Sequence, residues 1–243
     1  MDARAIRMTT SVEDRHWWYR ERRAIIAREL RGLGTPGRAI EIGAAGGGNS
    51  LVLREHGWDV LATDCHDAGV RIAQARGLDA IRADARDLPV DAGSYDLVVA
   101  FDVLEHIDDD HLAAREIYRV LRPGGTALIA VPCGVDLWSA FDVASGHYRR
   151  YTRDSLTVVV ERAGLSIDRL WSWNVLLRPA VKLRRRNATE VVSEHDVGRV
   201  HPVVNAALGL VVRAERFLPV TSLPGVSLML RAHRPAADRS TVG

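Results

Sequence analysis

The sequence predicts an α/β fold built around a mostly parallel sheet, on three observations. Residues Arg38–Asp64 run from a short apolar segment through a small-residue loop and an amphipathic segment to a second apolar segment, which is the pattern of a βαβ unit. Tyr95–Phe101 is a continuous apolar run, typical of a parallel strand buried on both faces. With 243 residues, 47% of them hydrophobic, the chain is long enough to bury the core of one such domain with additions.

A helical flap over residues 1–34 is expected to precede the sheet. The segment Thr10–Glu13 matches a capping box, which predicts an amphipathic helix from there to about Arg31. This helix carries an unusually aromatic stretch, His16–Tyr19. The stretch either packs on the sheet as a hydrophobic flap or forms an aromatic lid that attracts a cationic ligand.

The loop after the first strand indicates which nucleotide the fold binds. It reads Gly-Ala-Ala-Gly-Gly-Gly from Gly43, so Ala45 stands where a dinucleotide-binding loop has its second glycine. Glu41 lies two residues before this loop, where it would repel a pyrophosphate but attract a ligand carrying an ammonium and a sulfonium group. Asp64 closes the second strand, in the position of an acid that accepts hydrogen bonds from a ribose. The site is therefore expected to hold an adenosine attached to a cationic amino acid.

Four motifs occur in the order known from one enzyme family. The segment Glu41-x-Gly43-x-Ala45-x-Gly47 resembles the first motif of class I S-adenosylmethionine-dependent methyltransferases, which usually have glycine where Ala45 stands. Asp84, the run Phe101–His106 and the turn Arg122–Gly125 resemble later motifs of the family. The motif order is similar to that of the ubiquinone-pathway methyltransferases. The resemblance implies a Rossmann-like sheet of seven mostly parallel strands, with helices on both faces and an antiparallel last strand.

The resemblance implies S-adenosylmethionine as the cofactor and S-adenosylhomocysteine as its product. In the family, an arginine of a leading helix meets the cofactor carboxylate; Arg23 is the first candidate here and Arg20 the second, with a solvated helix face as the alternative. Asp84 matches the acid that faces the adenine amino group, and Phe101 would pack near the adenosine. The expected cofactor-binding residues are Arg23, Glu41, Gly43, Ala44, Ala45, Gly47, Asp64, Cys65, Asp84, Ala85, Phe101 and His106.

A group of polar side chains follows the fourth strand, where cofactor and acceptor are expected to meet. Asp102, Glu105 and His106 share one face if they form a helical turn. His106 then orients the cofactor pocket or acts as a general base. In a third interpretation the three residues bind a divalent metal, because they resemble the Glu-x-x-Glu-His arrangement of some metal-assisted O-methyltransferases. Many relatives with similar motifs need no metal, so no metal ligand is assigned.

The loop Cys133–Thr152 is the expected source of further contacts with the acceptor. It contains a histidine, two tyrosines and two arginines within five positions, 147–151. His147 or Tyr148 would orient the acceptor or act as a base, while the arginines would hold an anionic part of it. The alternative is a plain connection with solvated arginines and packed tyrosines. The expected catalytic residues are His106, His147 and Tyr148.

The other segments complete the expected sheet. Helices are predicted over Asp67–Arg76, Asp108–Leu121 and Asp154–Ala163, and strands over Ala80–Ile81, Thr126–Val131, Ser166–Trp173 and Gly225–Arg231. The expected division is a flap over residues 1–34, a cofactor-binding core over 35–174, a helical insert or lid over 175–223, the last strand of the core within 224–234, and a disordered tail over 235–243.

Charge and cysteine content exclude several classes of function. The formal net charge is +2, and no Asn/Asp-Pro-Pro-aromatic signature of base methylation occurs, so nucleic acid is not an expected partner. Cys65 and Cys133 lie far apart, which argues against a disulfide framework or a zinc site. The charged N-terminus lacks the apolar core of a signal peptide, and Val203–Val212 is too short to span a bilayer. A cytoplasmic protein is expected, with peripheral membrane contact open through the basic segment Lys182–Arg186.

The expected reaction is transfer of a methyl group from S-adenosylmethionine to a small-molecule acceptor. The attacking group is expected to be a hydroxyl of a metabolite, a sugar or a lipid-linked compound. Two alternatives stay open: a protein of the same fold that binds the cofactor but catalyses a non-methylating reaction, and a non-catalytic binding module.

Overall fold

The computed structural model of the protein describes residues 3–187 and 200–236. Its central element is a sheet of seven strands. The strands are β1 (Arg38–Ile42), β2 (Asp59–Asp64), β3 (Asp79–Arg82), β4 (Tyr95–Phe101), β5 (Leu121–Pro132), β6 (Ser166–Trp173) and β7 (Ser227–His233). Their order is β3-β2-β1-β4-β5-β7-β6. Strands β1 to β5 pair in parallel, and β7 runs antiparallel to both β5 and β6. The predicted seven-stranded, mostly parallel sheet with an antiparallel last strand is confirmed.

Helices cover both faces of this sheet, as predicted. They are α1 (Ala3–Val12), α2 (Trp17–Leu30), α3 (Gly48–Glu55), α4 (Asp67–Ala75), α5 (Asp110–Val120), α6 (Ala140–Ala144), α7 (Arg153–Arg162), α8 (Arg178–Asn187) and α9 (Pro202–Ala214). Strand β4 shows why its sequence is apolar throughout. Val98 and Ala100 pack with α5 and α7, whereas Leu97, Val99 and Phe101 pack with α2 and α3 on the opposite face.

The N-terminal segment forms two helices, so the prediction of a single helix from Thr10 to Arg31 is wrong. The chain turns after Val12 because the side chain of Glu13 points inward, where Arg76 donates a hydrogen bond to it at 2.5 Å. His16 caps the next helix, since its Nδ1 accepts a hydrogen bond from the Trp18 backbone N–H at 3.2 Å. The four residues of the supposed capping box therefore end α1 instead of beginning a helix.

The segments after β5 differ in detail from the sequence-based expectations. The loop Cys133–Thr152 contains a 3-10 turn and α6, and the last strand lies two residues later than predicted. Helices α8 and α9 lie within the expected insert, while residues 188–199 of that insert and 237–243 of the expected tail fall outside the described residues. The proposed domain boundaries stay predictions. Over residues 3–187 and 200–236, no helix combines the length and hydropathy that crossing a bilayer requires.

The carboxyl ends of the parallel strands gather at one edge of the sheet, where the loop glycines and most predicted polar residues follow. Within the described chain, the non-glycine residues with positive φ also follow strand ends at this edge. They are Ala45 after β1, Asp102 after β4 and Asn174 after β6, with φ of 46°, 56° and 59°. Left-handed backbone at such residues costs roughly 1–3 kcal/mol each and concentrates at functional sites. The carboxyl edge is thus the place to look for the site.

Candidate functional site

A cavity of about 580 Å³ lies over the carboxyl edge of the sheet. Its floor is the loop Gly43–Ala45 after β1 together with Phe101 and Asp102 after β4. Helices from both ends of the described chain form its walls: α1, α2, α6, α8 and α9 each contribute residues. The cavity therefore combines a glycine loop at its base with apolar helical walls above it.

The glycine loop is held in place by the acid that closes β2. Asp64 accepts hydrogen bonds at 2.8 Å from the backbone N–H of Ala45 and from that of His66. Gly43 has a φ of 70°, and a Cβ at this position would lie 2.6 Å from the Val103 side chain. The loop thus follows a path that only glycine allows, which keeps backbone groups at the floor of the cavity.

Glu41 lies beneath the loop and does not line the cavity. Its carboxylate accepts hydrogen bonds from Asn49 Nδ2 at 2.9 Å and from the Ser50 hydroxyl, both in the first turn of α3. Burial raises the pKa of Glu41 to about 7, although these two hydrogen bonds act to lower it. The carboxylate predicted to attract a cationic ligand is thus hydrogen-bonded to two side chains of α3, and its role toward the cofactor stays a prediction.

Two adjacent arginines of α2 line the cavity, and sequence reasoning named only one of them. Arg23 donates to the Glu13 carbonyl at 2.8 Å and lies 3.3 Å from the Asp14 carboxylate. Arg22 is buried, forms an ion pair with Asp102 at 2.5 Å and lies over the Phe101 ring at 5.0 Å. Neither Arg22 Nη atom has an aligned hydrogen-bond acceptor among the described residues. Arg22 is therefore a buried cation at the cavity that pairs with Asp102 by charge but has no aligned acceptor within the described residues.

A cluster of three titratable side chains lines the cavity beside Asp102. The rings of His106 and His147 meet edge to face, with their centroids 4.7 Å apart. Glu105 is buried, and neither carboxylate oxygen has a hydrogen-bond partner in the described chain. Burial, assisted by the charge of Asp102, raises the pKa of Glu105 well above its ordinary value, which favours the protonated form. Burial and the nearby His147 lower the pKa of His106 to about 4, so its imidazole is neutral at neutral pH.

His147 is oriented by Asp142, a residue that sequence reasoning missed. His147 Nδ1 lies 3.0 Å from Asp142 Oδ1, and Asp142 also accepts from Arg150 at 2.8 Å and from Arg185 of α8 at 2.7 Å. Burial alone would raise the pKa of Asp142, but the hydrogen bond from His147 and the two arginines hold it below its ordinary value. An ionised Asp142 favours the tautomer with hydrogen on Nδ1, which leaves Nε2 of His147 as an acceptor.

The signal for Asp142 was present in the sequence. Ser139 and Asp142 have the spacing of a capping box, and the Ser139 backbone N–H donates to Asp142 at 3.0 Å. Tyr148, the other candidate of this loop, is 60% exposed and does not line the cavity. The structure thus brings His106 and His147 together and leaves Tyr148 outside.

Several residues predicted to bind the cofactor lie beside the cavity instead of in its lining. They are Asp64, Cys65, Asp84 and Ala85, and Gly47 is likewise outside the lining. Asp84 pairs with Arg86 at 2.7 Å, and this hydrogen bond is the main cause that lowers the pKa of Asp84. Asp64 is connected to the cavity directly, since it bonds to the backbone of Ala45. Their contacts with a cofactor stay predictions.

The three residues of the metal-binding interpretation, Asp102, Glu105 and His106, are not brought together as a unit. Asp102 pairs with Arg22, and His147 takes its place beside Glu105 and His106. The potential ligand atoms of Glu105, His106 and His147 all lie within 4.8 Å of one another. One carboxylate and two imidazoles form a donor set that suits a divalent transition metal. The unpartnered carboxylate of Glu105 fits such a use.

Comparisons with known proteins agree with this geometry. A family model described as a methyltransferase domain matches residues 15–170. A probable S-adenosylmethionine-dependent methyltransferase of Mycolicibacterium smegmatis is 26% identical over 166 residues, which cover 67% of this chain and 64% of that protein. The ubiquinone biosynthesis O-methyltransferase of Bordetella avium is 30% identical over 105 residues, 40% of this chain and 44% of the relative.

A further relative and one solved structure complete the comparison. A probable phthiotriol/phenolphthiotriol dimycocerosates methyltransferase of Mycobacterium ulcerans is 34% identical over 118 residues, 45% of this chain and 46% of that protein. The methyltransferase in a Haloferax volcanii complex with the Trm112 activator has a TM-score of 0.64 at 22% identity, covering 97% of this chain and 96% of that one, which shows the fold alone. The chain spans about half to two thirds of the length of these curated relatives. It belongs to the class I S-adenosylmethionine-dependent methyltransferase family.

Proposed function

We propose that the protein transfers the methyl group of S-adenosylmethionine to a hydroxyl group of a lipid-linked small molecule. One observation carries the proposal: a single cavity joins the glycine loop to the paired rings of His106 and His147. The walls support an apolar acceptor, because Met8, Trp17, Leu177, Val181 and Leu208 all line the cavity. Two relatives named for ubiquinone biosynthesis and for phthiotriol dimycocerosates lend support to this acceptor class.

The proposed reaction is an in-line displacement. The acceptor oxygen attacks the methyl carbon, the new C–O bond forms as the C–S bond breaks, and sulfur leaves as the neutral thioether of S-adenosylhomocysteine. The sulfonium already activates the methyl group, so most of the catalysis would be placement of the two reactants. The hydroxyl proton must leave, and His147 is the proposed base because Asp142 leaves its Nε2 free to accept. His106, with its lowered pKa, would position the acceptor.

The proposed cofactor position follows the carboxyl edge of the sheet. The backbone of Gly43–Ala45 would contact the methionine part, Asp64 the ribose, and Asp84 the adenine amino group. Arg22 or Arg23 would meet the methionine carboxylate; the Nη atoms of Arg22 favour the first, because they have no aligned hydrogen-bond acceptor among the described residues. The location in the cytoplasm and the lack of a nucleic-acid partner remain predictions from the sequence.

Isothermal titration with S-adenosylmethionine tests the proposal. We expect the wild type to bind, and Asp64→Ala to bind at least about tenfold more weakly, since hydrogen bonds to a charged group contribute roughly 1.5–3 kcal/mol. Asp67→Ala is the matched control, because Asp67 is a nearby acid whose closest partner, Arg82, is 3.7 Å away and exposed. A wild type that does not bind, or an Asp64→Ala variant that binds equally well, would contradict the proposal.

Product analysis with methyl-labelled cofactor separates methyl transfer from the alternatives. Label in the acceptor supports a transferase, whereas a changed acceptor without label identifies a non-methylating reaction in the same pocket. Cofactor binding without any product from a panel of lipid-linked hydroxyl compounds would favour a binding module.

The unpartnered Glu105 beside two imidazoles supports a second candidate, a metal-assisted form of the same reaction. A divalent ion held by Glu105, His106 and His147 would act as a Lewis acid toward the acceptor oxygen. Titration with Co²⁺, followed by its visible absorption, tests binding without reference to activity. Saturable binding that Glu105→Gln abolishes supports this form, while full activity in excess EDTA would eliminate it.

A further inference from the structure

Helix α9 presents a large apolar face to solvent. Its inner side packs on α2, where Asn205 accepts a hydrogen bond from the Trp17 backbone N–H at 2.9 Å and Arg213 pairs with Glu21 at 2.6 Å. The exposed α9 face consists of residues of the helix and of the turn that follows it: Val203, Val204, Ala206, Ala207, Leu210, Val211, Phe217 and Leu218. The exposed fractions reach 70% for Val203, 64% for Leu210 and 75% for Phe217. Isolated exposed apolar residues are ordinary, but a contiguous helical face of this extent indicates an interaction site.

In the part of the chain that the structure describes, exposed arginines lie beside the exposed α9 face. Arg216 lies over the Phe217 ring at 4.4 Å, and Arg20 and Arg28 of α2 are exposed. Three described acids near α9 are engaged by other groups: Glu21 is buried against Arg213, Glu215 is buried against the Leu176 backbone N–H at 2.8 Å, and Asp14 pairs with Arg23 at 3.3 Å. The surface is therefore apolar in its centre and cationic at its rim, which complements an anionic partner.

The same pair of helices borders the cavity. Trp17 of α2 and Leu208 of α9 both line it, so the exposed α9 face lies on the outer side of a cavity wall. The basic segment Lys182–Arg186 is a weaker candidate for membrane contact than its sequence suggested. Lys182 pairs with Asp136 at 2.6 Å and Arg185 with the buried Asp142.

We infer that the exposed α9 face docks on an anionic membrane surface, with α9 lying in the plane of the interface. An apolar helical face bordered by arginines is the arrangement by which interfacial helices bind anionic bilayers. A second copy of the chain is a poorer partner, because a twofold contact through this face would bring the arginine rims of both copies together. That a lipid-linked acceptor would enter the cavity between α2 and α9 depends on the proposed function. The docking of the exposed α9 face on a membrane does not depend on it.

Co-sedimentation with lipid vesicles tests the inference. The wild type is expected to pellet with vesicles of phosphatidylcholine and phosphatidylglycerol, less with phosphatidylcholine alone, and less as salt is added. Leu210→Glu should lower the partition coefficient by about tenfold or more, and Arg216→Glu should lower it mainly for the anionic vesicles. Val158→Glu is the matched control, since Val158 is a 43% exposed residue of α7 on the opposite face of the sheet.

Binding of S-adenosylmethionine by each variant shows that it is folded. The inference fails if the wild type ignores both kinds of vesicle, or if Val158→Glu loses binding as much as Leu210→Glu does. A concentration-dependent dimer that Leu210→Glu abolishes, without vesicle binding, would overturn it in favour of a second copy. Vesicle binding by a protein that methylates only water-soluble acceptors would refute the proposed acceptor and leave the docking intact.

Discussion

Neighbouring carboxyl groups of the site take opposite charge states because their surroundings differ. Glu41 and Glu105 are buried with few or no compensating donors, so burial raises the pKa of each. Asp142 is equally buried, but His147 and two arginines outweigh the burial and lower its pKa. Asp142 therefore stays ionised and can orient a base, whereas Glu41 and Glu105 take up a proton at a higher pH than an ordinary carboxyl group does.

Glu41 gives a measurable pH dependence of stability. Its pKa is raised from 4.5 in the unfolded chain to about 7 in the fold, so the folded state binds the proton more tightly. The stabilisation that this tighter proton binding gives the folded state is fully present below pH 4.5. The free energy of unfolding then falls by roughly 3 kcal/mol as the pH rises from 4.5 through 7. We expect Glu41→Gln to remove this loss, measured as the free energy of urea unfolding at pH 5 and pH 8.

The quantity to compare is the difference in the free energy of unfolding between Glu41→Gln and the wild type at each pH. The lowered pKa of His106 acts with the opposite sign between pH 4 and 6.5, and both proteins share this contribution. Equal pH slopes for Glu41→Gln and the wild type would contradict the raised pKa.

Asp142→Asn is expected to slow methyl transfer roughly tenfold to a hundredfold while leaving the dissociation constant of S-adenosylmethionine unchanged. The asparagine keeps the shape of the side chain but no longer supplies the charge that fixes His147. Turnover and cofactor binding are measured on the same preparation. A melting curve confirms folding, since Arg150 loses its buried partner.

Asp136→Asn is the matched control for this variant. Asp136 also pairs with side chains of α8, Arg178 at 2.5 Å and Lys182 at 2.6 Å, but it is bonded to no histidine of residues 3–187 and 200–236. If both variants lose activity equally, then Asp142 matters only for the attachment of α8. Undiminished turnover in a folded Asp142→Asn protein would refute the role of His147 as base.

Single residues were predictable where local chemistry defines them. Gly43 and Asp64 stand at a strand end and a tight turn, and the sequence displays both features. Arg22 was missed because the sequence does not distinguish it from the adjacent Arg23; both line the cavity, and only the packing of α2 places Arg22 against Asp102 and the Phe101 ring. The contact of His106 with His147 joins residues far apart in the chain, so no local pattern reports it.

At the scale of elements, helix α4 packs closely on the glycine loop that is proposed to hold the cofactor. A Cβ on Gly69 would lie 2.7 Å from the Ala45 carbonyl oxygen and 3.1 Å from Asp64 Cγ. We expect Gly69→Ala to displace the loop and weaken S-adenosylmethionine binding several-fold, measured by isothermal titration. Gly32→Ala is the control, because its Cβ would make only an ordinary contact at 3.5 Å from Glu29. Equal affinities for the two variants would show that the loop tolerates the displacement.

Strands were predicted well where apolar residues mark at least one face. The bounds of β2 and β4, which have continuous apolar runs, were found within one or two residues, and so were those of the edge strand β6, whose tryptophans alternate. The break between α1 and α2 was missed because it depends on the long-range pairing of Glu13 with Arg76. Helix α6 was missed because five residues are too few to show a helical period.

At the scale of the whole molecule, the cavity is enclosed by helices that are distant in sequence. Met8, Thr9 and Val12 of α1 line it, and α1 also packs on α4. A bound cofactor should therefore hold α1 in place. We expect S-adenosylhomocysteine at about a hundredfold excess over its dissociation constant to raise the melting temperature by roughly 5 °C or more.

The same ligand should slow tryptic cleavage after Arg7 and Arg15, which are exposed around the end of α1. ATP is the control, since it offers the adenosine without the methionine part. Protection by ATP as strong as that by S-adenosylhomocysteine would indicate a different nucleotide in the site.

The position of β7 has a consequence for how the protein is made. Strand β7 lies between β5 and β6 and pairs with both, so β6 joins the sheet through a partner that follows it by more than fifty residues. While the ribosome is still adding those residues, β5 has an open hydrogen-bonding edge. A nascent chain stalled before Ser227 should hence depend on chaperones, and it should aggregate when they are depleted.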